Sequence, residues 1–226
     1  MIYGKVEKGR FLSRPNRFIA YVEIGGKEEV CHVKNTGRCR ELLLPGAVVY
    51  LEASDNPVRK TKYDLIAVEK GSALINMDSQ APNRVFSEWA ASSGFFGSSP
   101  AIFPERKYGS SRFDFYIESD GRRIFVEVKG VTLEEDGVAK FPDAPTERGA
   151  RHLRELSSAV SEGYEAYVFF IIQMKGINLF IPNETRDPSF ARELRAAKAS
   201  GVGIFAIDSV VTPDSLTADA FVKVEI

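Results

Sequence analysis

An aspartate and a Glu-x-Lys triplet are the residues whose types and spacing point most directly to chemistry. Asp114 lies in one strand-like run, and Glu127 and Lys129 lie two residues apart in the next. Two neighbouring carboxylates form a hard-oxygen site suited to Mg²⁺ or Mn²⁺. A metal held there would lower the pKa of a bound water and polarise a phosphoryl oxygen, while Lys129 would stabilise charge on the phosphate. The pattern therefore predicts metal-dependent hydrolysis of a phosphodiester.

The strands that carry these residues must bring them to one place on a sheet. Side-chain alternation puts Asp114 on the face opposite Phe113 and Phe115, and it puts Glu127 and Lys129 on a common face. If the two strands pair as a hairpin, the three charged side chains converge. Charged residues on central strands are costly unless they are paired or ligated. A surface ion pair is the alternative to a metal site.

The order and spacing of these residues resemble the PD-(D/E)XK nuclease superfamily, whose cores place an Asp and a Glu-x-Lys on adjacent strands. The resemblance implies that Asp114, Glu127 and the Val128 carbonyl form the metal site. It also implies a further glutamate from the preceding helix, for which we expect Glu88, with Glu105 as the second choice. A solvated helix face remains the alternative for Glu88.

The helix predicted over residues 147–161 carries Arg148, His152 and Glu155 on one face. In the superfamily this helix often adds a polar residue to the site. We therefore expect His152 to assist catalysis and Arg148 to contact the nucleic acid. An ordinary histidine on a helix surface is the alternative.

Two domains are expected from the pattern of elements. Short apolar runs separated by turn signals fill the first eighty residues, and five strands with one short helix near residues 41–44 fit an OB-like β-barrel. From Pro82 the order is helix, three strands, helix, strand, helix and strand, which indicates an α/β domain with a mixed central sheet. We therefore predict a nucleic-acid-binding barrel over residues 1–80 and a nuclease-like domain over residues 81–226.

The charge of the 226-residue chain is unevenly distributed, although 30 basic and 31 acidic residues leave a net charge of only −1. Residues 1–62 hold 12 Lys and Arg against 7 Asp and Glu, which leaves 18 against 24 for the remainder. Cations interleaved with aromatic residues are typical of OB domains that hold nucleic acid, and simple solvation of the barrel is the alternative. The predicted nucleic-acid-binding residues are Arg14, Arg17, Lys34, Arg38, Lys60 and Lys62, together with Arg148.

The cysteines and the hydropathy pattern indicate a cytoplasmic protein. Cys31, Cys39 and His32 match no common zinc spacing, so buried free thiols in a reducing compartment are the better interpretation. The chain shows neither a leader segment nor an apolar run long enough to span a bilayer. No membrane partner is expected.

Six segments, spread over almost the whole chain, closely resemble the sugar fermentation stimulation protein A (SfsA) family. The resemblance implies an OB-like domain, a PD-(D/E)XK-like domain, and DNA binding without strong sequence preference. It implies nuclease activity on DNA or RNA; the alternative is a non-catalytic DNA-binding regulator of sugar metabolism, particularly that of maltose, on a nuclease scaffold. The oligomeric state stays open, a dimer included. The segments are FLSRPNRF (11–18), CHVKNTGR (31–38), RKTKYDL (59–65), SRFDF (111–115), VEVKGVTL (126–133) and FPDAPTERG (141–149).

Overall fold

The first domain is a barrel made by neighbouring antiparallel strands that close on one another. A computed structural model describes residues 1–35 and 37–226, so Thr36, within the 31–38 segment, lies outside the described residues. The sheet order is β3-β2-β1-β4-β5-β6, and a parallel pairing of β3 with β5 closes the first five strands into the expected barrel. The strands are β1 (Val6–Ser13), β2 (Ile19–Ile24), β3 (Lys27–Val33), β4 (Val48–Ala53), β5 (Tyr63–Lys70) and β6 (Ala73–Asn76).

One barrel element differs from the sequence-based expectation. Residues 40–42 form turns instead of the predicted short helix. Cys39 adopts a φ of 45°, and Pro45 follows shortly afterwards. The segment between them is too short to offset the cost of starting a helix. Its Leu42 and Leu43 are nevertheless buried, and they pack into the core.

The second domain is built on a mixed sheet, as the alternation of helices and strands predicts. The sheet has nine strands in the order β10-β11-β13-β15-β14-β12-β9-β8-β7, four more than the sequence indicates. Strand β9 pairs antiparallel with β8 and parallel with β12. None of the helices in the described residues is both long and apolar enough to cross a membrane. The elements are α1 (Ala81–Ser92), β7 (Ala101–Tyr108), β8 (Ser111–Ser119), β9 (Arg122–Val131), β10 (Leu133–Glu135), β11 (Val138–Phe141), α2 (Glu147–Ser161), β12 (Glu165–Ile172), β13 (Leu179–Pro182), α3 (Pro188–Ala199), β14 (Gly203–Thr212) and β15 (Ser215–Val224).

Helices cover the centre of this sheet on both faces. On one face Phe86 of α1 lies 4.9 Å from Phe169 and 5.1 Å from Phe115, measured between ring centroids. On the other face Leu153 and Leu156 of α2 pack into the larger core cluster. Because β9 is covered on both sides, a charged side chain on it can reach solvent only near the end of the strand.

The pleat of β8 is interrupted at Asp114, and this corrects the predicted alternation. Phe113 packs against Phe125 and His152 on the α2 side, whereas Phe115 contacts Phe86 on the α1 side. The regular β8–β9 ladder ends at the pair Phe115–Val126. Beyond that pair β8 departs from regular pairing, so Phe113 and Phe115 do not share a face.

A buried polar network joins the barrel to the second domain. The backbone N–H of Asn76 donates to the backbone carbonyl of Gln173 at 2.9 Å. The side-chain Nε2 of Gln173 donates to Asn76 Oδ1 at 2.8 Å and to the backbone carbonyl of Asp78 at 3.0 Å. The Tyr3 hydroxyl accepts from Asn76 Nδ2 at 2.8 Å. Tyr3 also donates its backbone N–H to the Asp214 carbonyl, so the start of the chain lies against the second domain. These contacts hold the two domains in one arrangement.

Gln173→Ala is expected to lower the free energy of unfolding by about 2 kcal/mol, because the two buried hydrogen bonds that Gln173 Nε2 donates to Asn76 and Asp78 are lost. Urea denaturation followed by tryptophan fluorescence measures the change. The matched control is Gln80→Ala, since Gln80 is exposed and its side chain does not cap α1. Equal midpoints for the two variants would contradict a stabilising role for the network.

Candidate active site

Glu127 is a buried carboxylate with one satisfied oxygen and one unsatisfied oxygen. It is 3% exposed on β9, and its Oε1 lies 2.5 Å from both Lys129 Nζ and His152 Nδ1. Its Oε2 is buried and has no hydrogen-bond partner among the described residues. Burial raises the pKa of Glu127, but the hydrogen bond from His152 and the charge of Lys129 outweigh burial and hold the pKa below its ordinary value. The carboxylate is therefore ionised, with one oxygen free to accept a ligand.

Asp114 lies beside Glu127 and is held by donors from two elements. Its Oδ1 accepts from Asn83 Nδ2 at 2.9 Å, and its Oδ2 accepts from the Val128 backbone N–H at 2.8 Å. Burial and the negative charge of Glu127 raise the pKa of Asp114 above its ordinary value. The β8–β9 hairpin thus brings Asp114, Glu127 and Lys129 together as predicted.

Helix α2 supports Glu127 from the other side. His152 is 2% exposed, so it is not the surface histidine considered as an alternative. Arg148 Nε donates to His152 Nε2 at 3.4 Å, which leaves Nδ1 to donate to Glu127. The third residue of that helix face, Glu155, instead accepts from the Ser110 hydroxyl at the β7–β8 turn. A chain of polar contacts therefore runs from exposed Arg148 to buried Glu127.

The donor set fits a magnesium-type site that uses few protein ligands. Within residues 1–35 and 37–226, no group of three or more His, Cys, Asp or Glu side chains is arranged to hold a metal. Asp114 and Glu127 supply two carboxylates, and the peptide of Val128 lies next to them. Mg²⁺ accepts one or two carboxylates and completes its shell with water. The unpartnered Glu127 Oε2 is an available ligand for such an ion.

The predicted third glutamate does not reach this site. Glu88 contacts the Met1 amino group at 2.6 Å and Arg84 at 3.3 Å, and Glu105 contacts Arg112 at 3.1 Å on the outer strand β7. Five residues separate Asn83 from Glu88, which turns Glu88 about 140° away around the helix. The structure therefore corrects the prediction: the α1 residue at Asp114 is Asn83. Its only sequence signal is a carboxamide in the first turn of that helix.

Two of the predicted nucleic-acid-binding cations are used inside the protein. Lys34 Nζ lies 3.2 Å from Glu52, 3.3 Å from Asp64 and 3.6 Å from Asp78. Arg14 donates three hydrogen bonds of 2.7 to 2.8 Å to backbone carbonyls of the neighbouring loops. Both side chains thus stabilise the barrel, which corrects their predicted role.

The remaining predicted cations are placed at the surface. Arg17, Arg38, Lys60 and Lys62 are exposed on the barrel, and Arg148 is exposed on α2. Lys62 has a carboxylate neighbour, Glu29, at 3.9 Å. These residues therefore stay available to an anionic ligand.

The cysteines and His32 form no common site. Cys31 and Cys39 are buried free thiols, and burial raises the pKa of each to about 12. Cys31 lies in strand β3, and Cys39 lies in the loop after it. His32 Nδ1 faces Asp64 Oδ1 at 2.9 Å. The zinc alternative is therefore wrong.

Comparisons with known proteins give matches over both domains. A family model described as the SfsA N-terminal OB domain matches residues 12–77, and one described as the sugar fermentation stimulation protein RE domain matches residues 80–215. The chain is 61% identical over 226 residues to a sugar fermentation stimulation protein homolog of Desulfitobacterium hafniense, covering 100% of this chain and 99% of the relative. A Clostridium beijerinckii homolog of the same name is 55% identical over 224 residues, covering 99% of each.

A solved structure has the same overall fold. It is described as Pyrococcus furiosus SfsA in complex with Ca²⁺, and it superposes on this chain with a TM-score of 0.91 at 30% identity. The match covers 100% of this chain and 98% of that one. The similarity therefore extends over the barrel, the sheet domain and their arrangement.

The charge cluster around Asp64 carries a pH-dependent prediction. Burial raises the pKa of Asp64, but hydrogen bonds from Arg59 and His32 and the charge of Lys34 outweigh burial and lower the pKa to about 2. The stabilisation, about 2 kcal/mol, is therefore complete above the ordinary value near 4 and disappears as the pH falls through about 2. The Asp64→Asn variant should lack this pH-dependent contribution to the free energy of unfolding.

Urea unfolding of wild type and of Asp64→Asn across this acid range measures the effect. The control is Asp55→Asn, because Asp55 is exposed and the variant keeps the titration of every other carboxylate. The difference in the free energy of unfolding between wild type and Asp64→Asn should narrow as the pH falls. The difference between wild type and Asp55→Asn should not. A constant gap for Asp64→Asn would disprove the assignment.

Proposed function

The chain belongs to the sugar fermentation stimulation protein (SfsA) family, and from this premise and its carboxylate pair we propose a nucleic-acid-binding, divalent-metal-dependent nuclease. It hydrolyses phosphodiester bonds in DNA or RNA. Asp114 and Glu127, with the Val128 carbonyl, hold Mg²⁺ or Mn²⁺. The PD-(D/E)XK resemblance of the strand pair supports this reaction class.

The observation that carries the proposal is the unpartnered Oε2 of Glu127 beside a second carboxylate. A buried acceptor without a partner costs about 1–3 kcal/mol, and Glu127 also disfavours ionisation of Asp114. A divalent cation held by the two carboxylates would remove both penalties at once. The Ca²⁺ complex of the Pyrococcus furiosus relative supports a cation of this class.

The surrounding residues have distinct roles in this proposal. When bound at Asp114 and Glu127, a divalent cation would supply Lewis-acid activation of the phosphate and of a water molecule. Lys129, which is partly exposed, stabilises negative charge that develops on the phosphate. His152 holds Glu127 in position, and Asn83 holds Asp114. Arg148 lies at the exposed end of this polar chain, where it can contact the nucleic-acid backbone.

A non-catalytic DNA-binding regulator on the same scaffold is the second candidate. The relatives are named for stimulation of sugar fermentation, and a regulatory role in sugar metabolism would need only the binding of DNA. The two candidates differ in whether Lys129 and Glu127 are needed for an observable reaction.

Cleavage of labelled nucleic acid is expected to need a metal and both charged residues of the triplet. Wild type should cut single- or double-stranded DNA or RNA with Mg²⁺ or Mn²⁺ and not with EDTA. Glu127→Gln and Lys129→Ala should each reduce the rate by about 100-fold or more, because each removes a group that stabilises transition-state charge. Gel analysis of the end-labelled products measures this.

Two exposed residues of β7 provide matched controls for the cleavage assay. Glu105→Gln and Lys107→Ala remove the same chemical groups outside the site and should cut like wild type. Products that are identical for wild type and Lys129→Ala would identify a contaminating nuclease. Absence of cleavage with every metal, together with retained DNA binding, would favour the regulator.

Metal binding has its own readout. Mg²⁺ or Ca²⁺ should raise the melting temperature of wild type, since a ligand that binds only the folded state stabilises it. Asp114→Asn and Glu127→Gln should abolish most of the rise, while Asp55→Asn, which changes an exposed aspartate, should keep it. An unchanged melting temperature of wild type at millimolar cation would contradict the metal site.

A further inference from the structure

A cleft of about 690 Å³ lies between the barrel and the second domain. Its barrel wall consists of residues 37–41 and Arg17, and its opposite wall consists of residues 141–146, Leu133 and Arg186. Residue 146 is the N-cap of α2, the helix that carries His152 to Glu127. The cleft therefore adjoins the element that supports the candidate active site.

The charged lining of this cleft is predominantly cationic. Glu41 and Asp143 are the carboxylates that line it within the described portion of the chain. The cationic side chains that line it are all exposed, and none forms an ion pair with another described residue. They contrast with Lys34 and Arg59, each of which pairs with the Asp64 carboxylate. The cations of the cleft are Arg17, Arg38, Arg40 and Arg186.

A smaller recess adjoins this cleft and extends from it to strand β9. It has a volume of about 170 Å³ and shares Gly37, Leu133, Phe141 and Asp143 with the cleft. Its lining extends to Gly130, which directly follows Lys129 on β9. The cleft and the recess together form a groove that runs from the arginines to Gly130, one residue from Lys129.

We propose that this groove binds one strand of nucleic acid and leads its phosphates to Asp114 and Glu127. The inference rests on the proposed function and specifies its substrate as a single strand or an unpaired end. Guanidinium groups bind phosphate oxygens in a planar, two-point geometry, so unpaired arginines on both walls match a sugar-phosphate backbone. Half-buried Phe141 offers a surface on which a base can stack.

The depth of the carboxylate pair favours a single strand over a duplex. The buried network of Asn76 and Gln173 holds the two walls in place. Glu127 itself is 3% exposed, so only a thin, flexible chain can bring a phosphate next to it.

The barrel wall is built before any ligand binds. Arg14 donates to the backbone carbonyls of Arg17, Asn35 and Arg38, and it thereby ties together the two loops that carry cationic residues. A preformed surface loses less conformational entropy when it binds. Arg14 acts as a positioning residue for Arg17 and Arg38.

Fluorescence anisotropy with a labelled oligo(dT) strand and a duplex of equal length, in EDTA, tests the inference with the full chain. Arg38→Ala, Arg40→Ala and Arg186→Ala should each weaken strand binding by about tenfold, the loss expected for one charge-assisted hydrogen bond. Each should also reduce the slope of log affinity against log salt by about 0.7. Wild type should bind the duplex more weakly than the strand.

The controls separate the cleft from the rest of the surface. Arg192→Ala removes an exposed arginine of α3 that does not line the cleft, and it should bind like wild type. Lys60→Ala tests the barrel surface outside the cleft. If the three cleft variants bind like Arg192→Ala, or if Lys60→Ala alone weakens binding, the strand does not follow this groove. Duplex binding as tight as strand binding would overturn the single-strand assignment.

Failure of this inference and failure of the proposed function give different results. If no metal supports cleavage but Arg186→Ala still weakens strand binding, the nuclease proposal fails and the groove stands. If wild type cuts a strand and the three arginine variants cut it with unchanged affinity and rate, the nuclease proposal stands and the groove assignment is wrong. Urea midpoints confirm that each variant is folded.

Discussion

The burial of one ionised carboxylate, Glu127, is the constraint on which the rest of the site depends. A charge inside a covered sheet costs several kcal/mol unless partners compensate it. Lys129 and His152 provide those partners, and His152 can do so only if α2 starts at the right place. That start is held by Asp187, whose carboxylate accepts from the Thr146 backbone N–H and from that of Phe190. One side chain thus fixes the beginnings of α2 and α3.

The elements nearest the site were the easiest to predict from the sequence. Helix α2 has the predicted bounds, and β8 and β9 are the strands that were predicted to carry Asp114 and Glu127. Their strong signals come from long apolar runs and a clear helical stripe. Strands β10, β11 and β13 have three or four residues each, and only two of the ten residues of β15 are buried, so none gives a comparable pattern. They are defined by their neighbours in the sheet.

Within the site, the strand residues could be predicted and the helix residue could not. Asp114 and Glu127 converge because adjacent strands leave few choices of register. A helix can rotate about its axis, so the sequence could not distinguish Asn83 from Glu88 as the residue that faces Asp114. Lys34 illustrates a similar limit, since the three carboxylates around it come from positions 52, 64 and 78. Only the closure of the barrel brings them together.

The hydrogen bond between Asp114 and Val128 lets one residue anchor the aspartate with its backbone and pack the core with its side chain. The donor is a backbone N–H, while the Val128 side chain packs into the core on the α1 side. Any residue except proline can supply that donor, so the middle position of the Glu-x-Lys triplet is free to change with the packing of α1. Homologous chains can therefore remodel this core without altering the anchor of the aspartate. The chemistry at this strand and its packing are able to evolve independently.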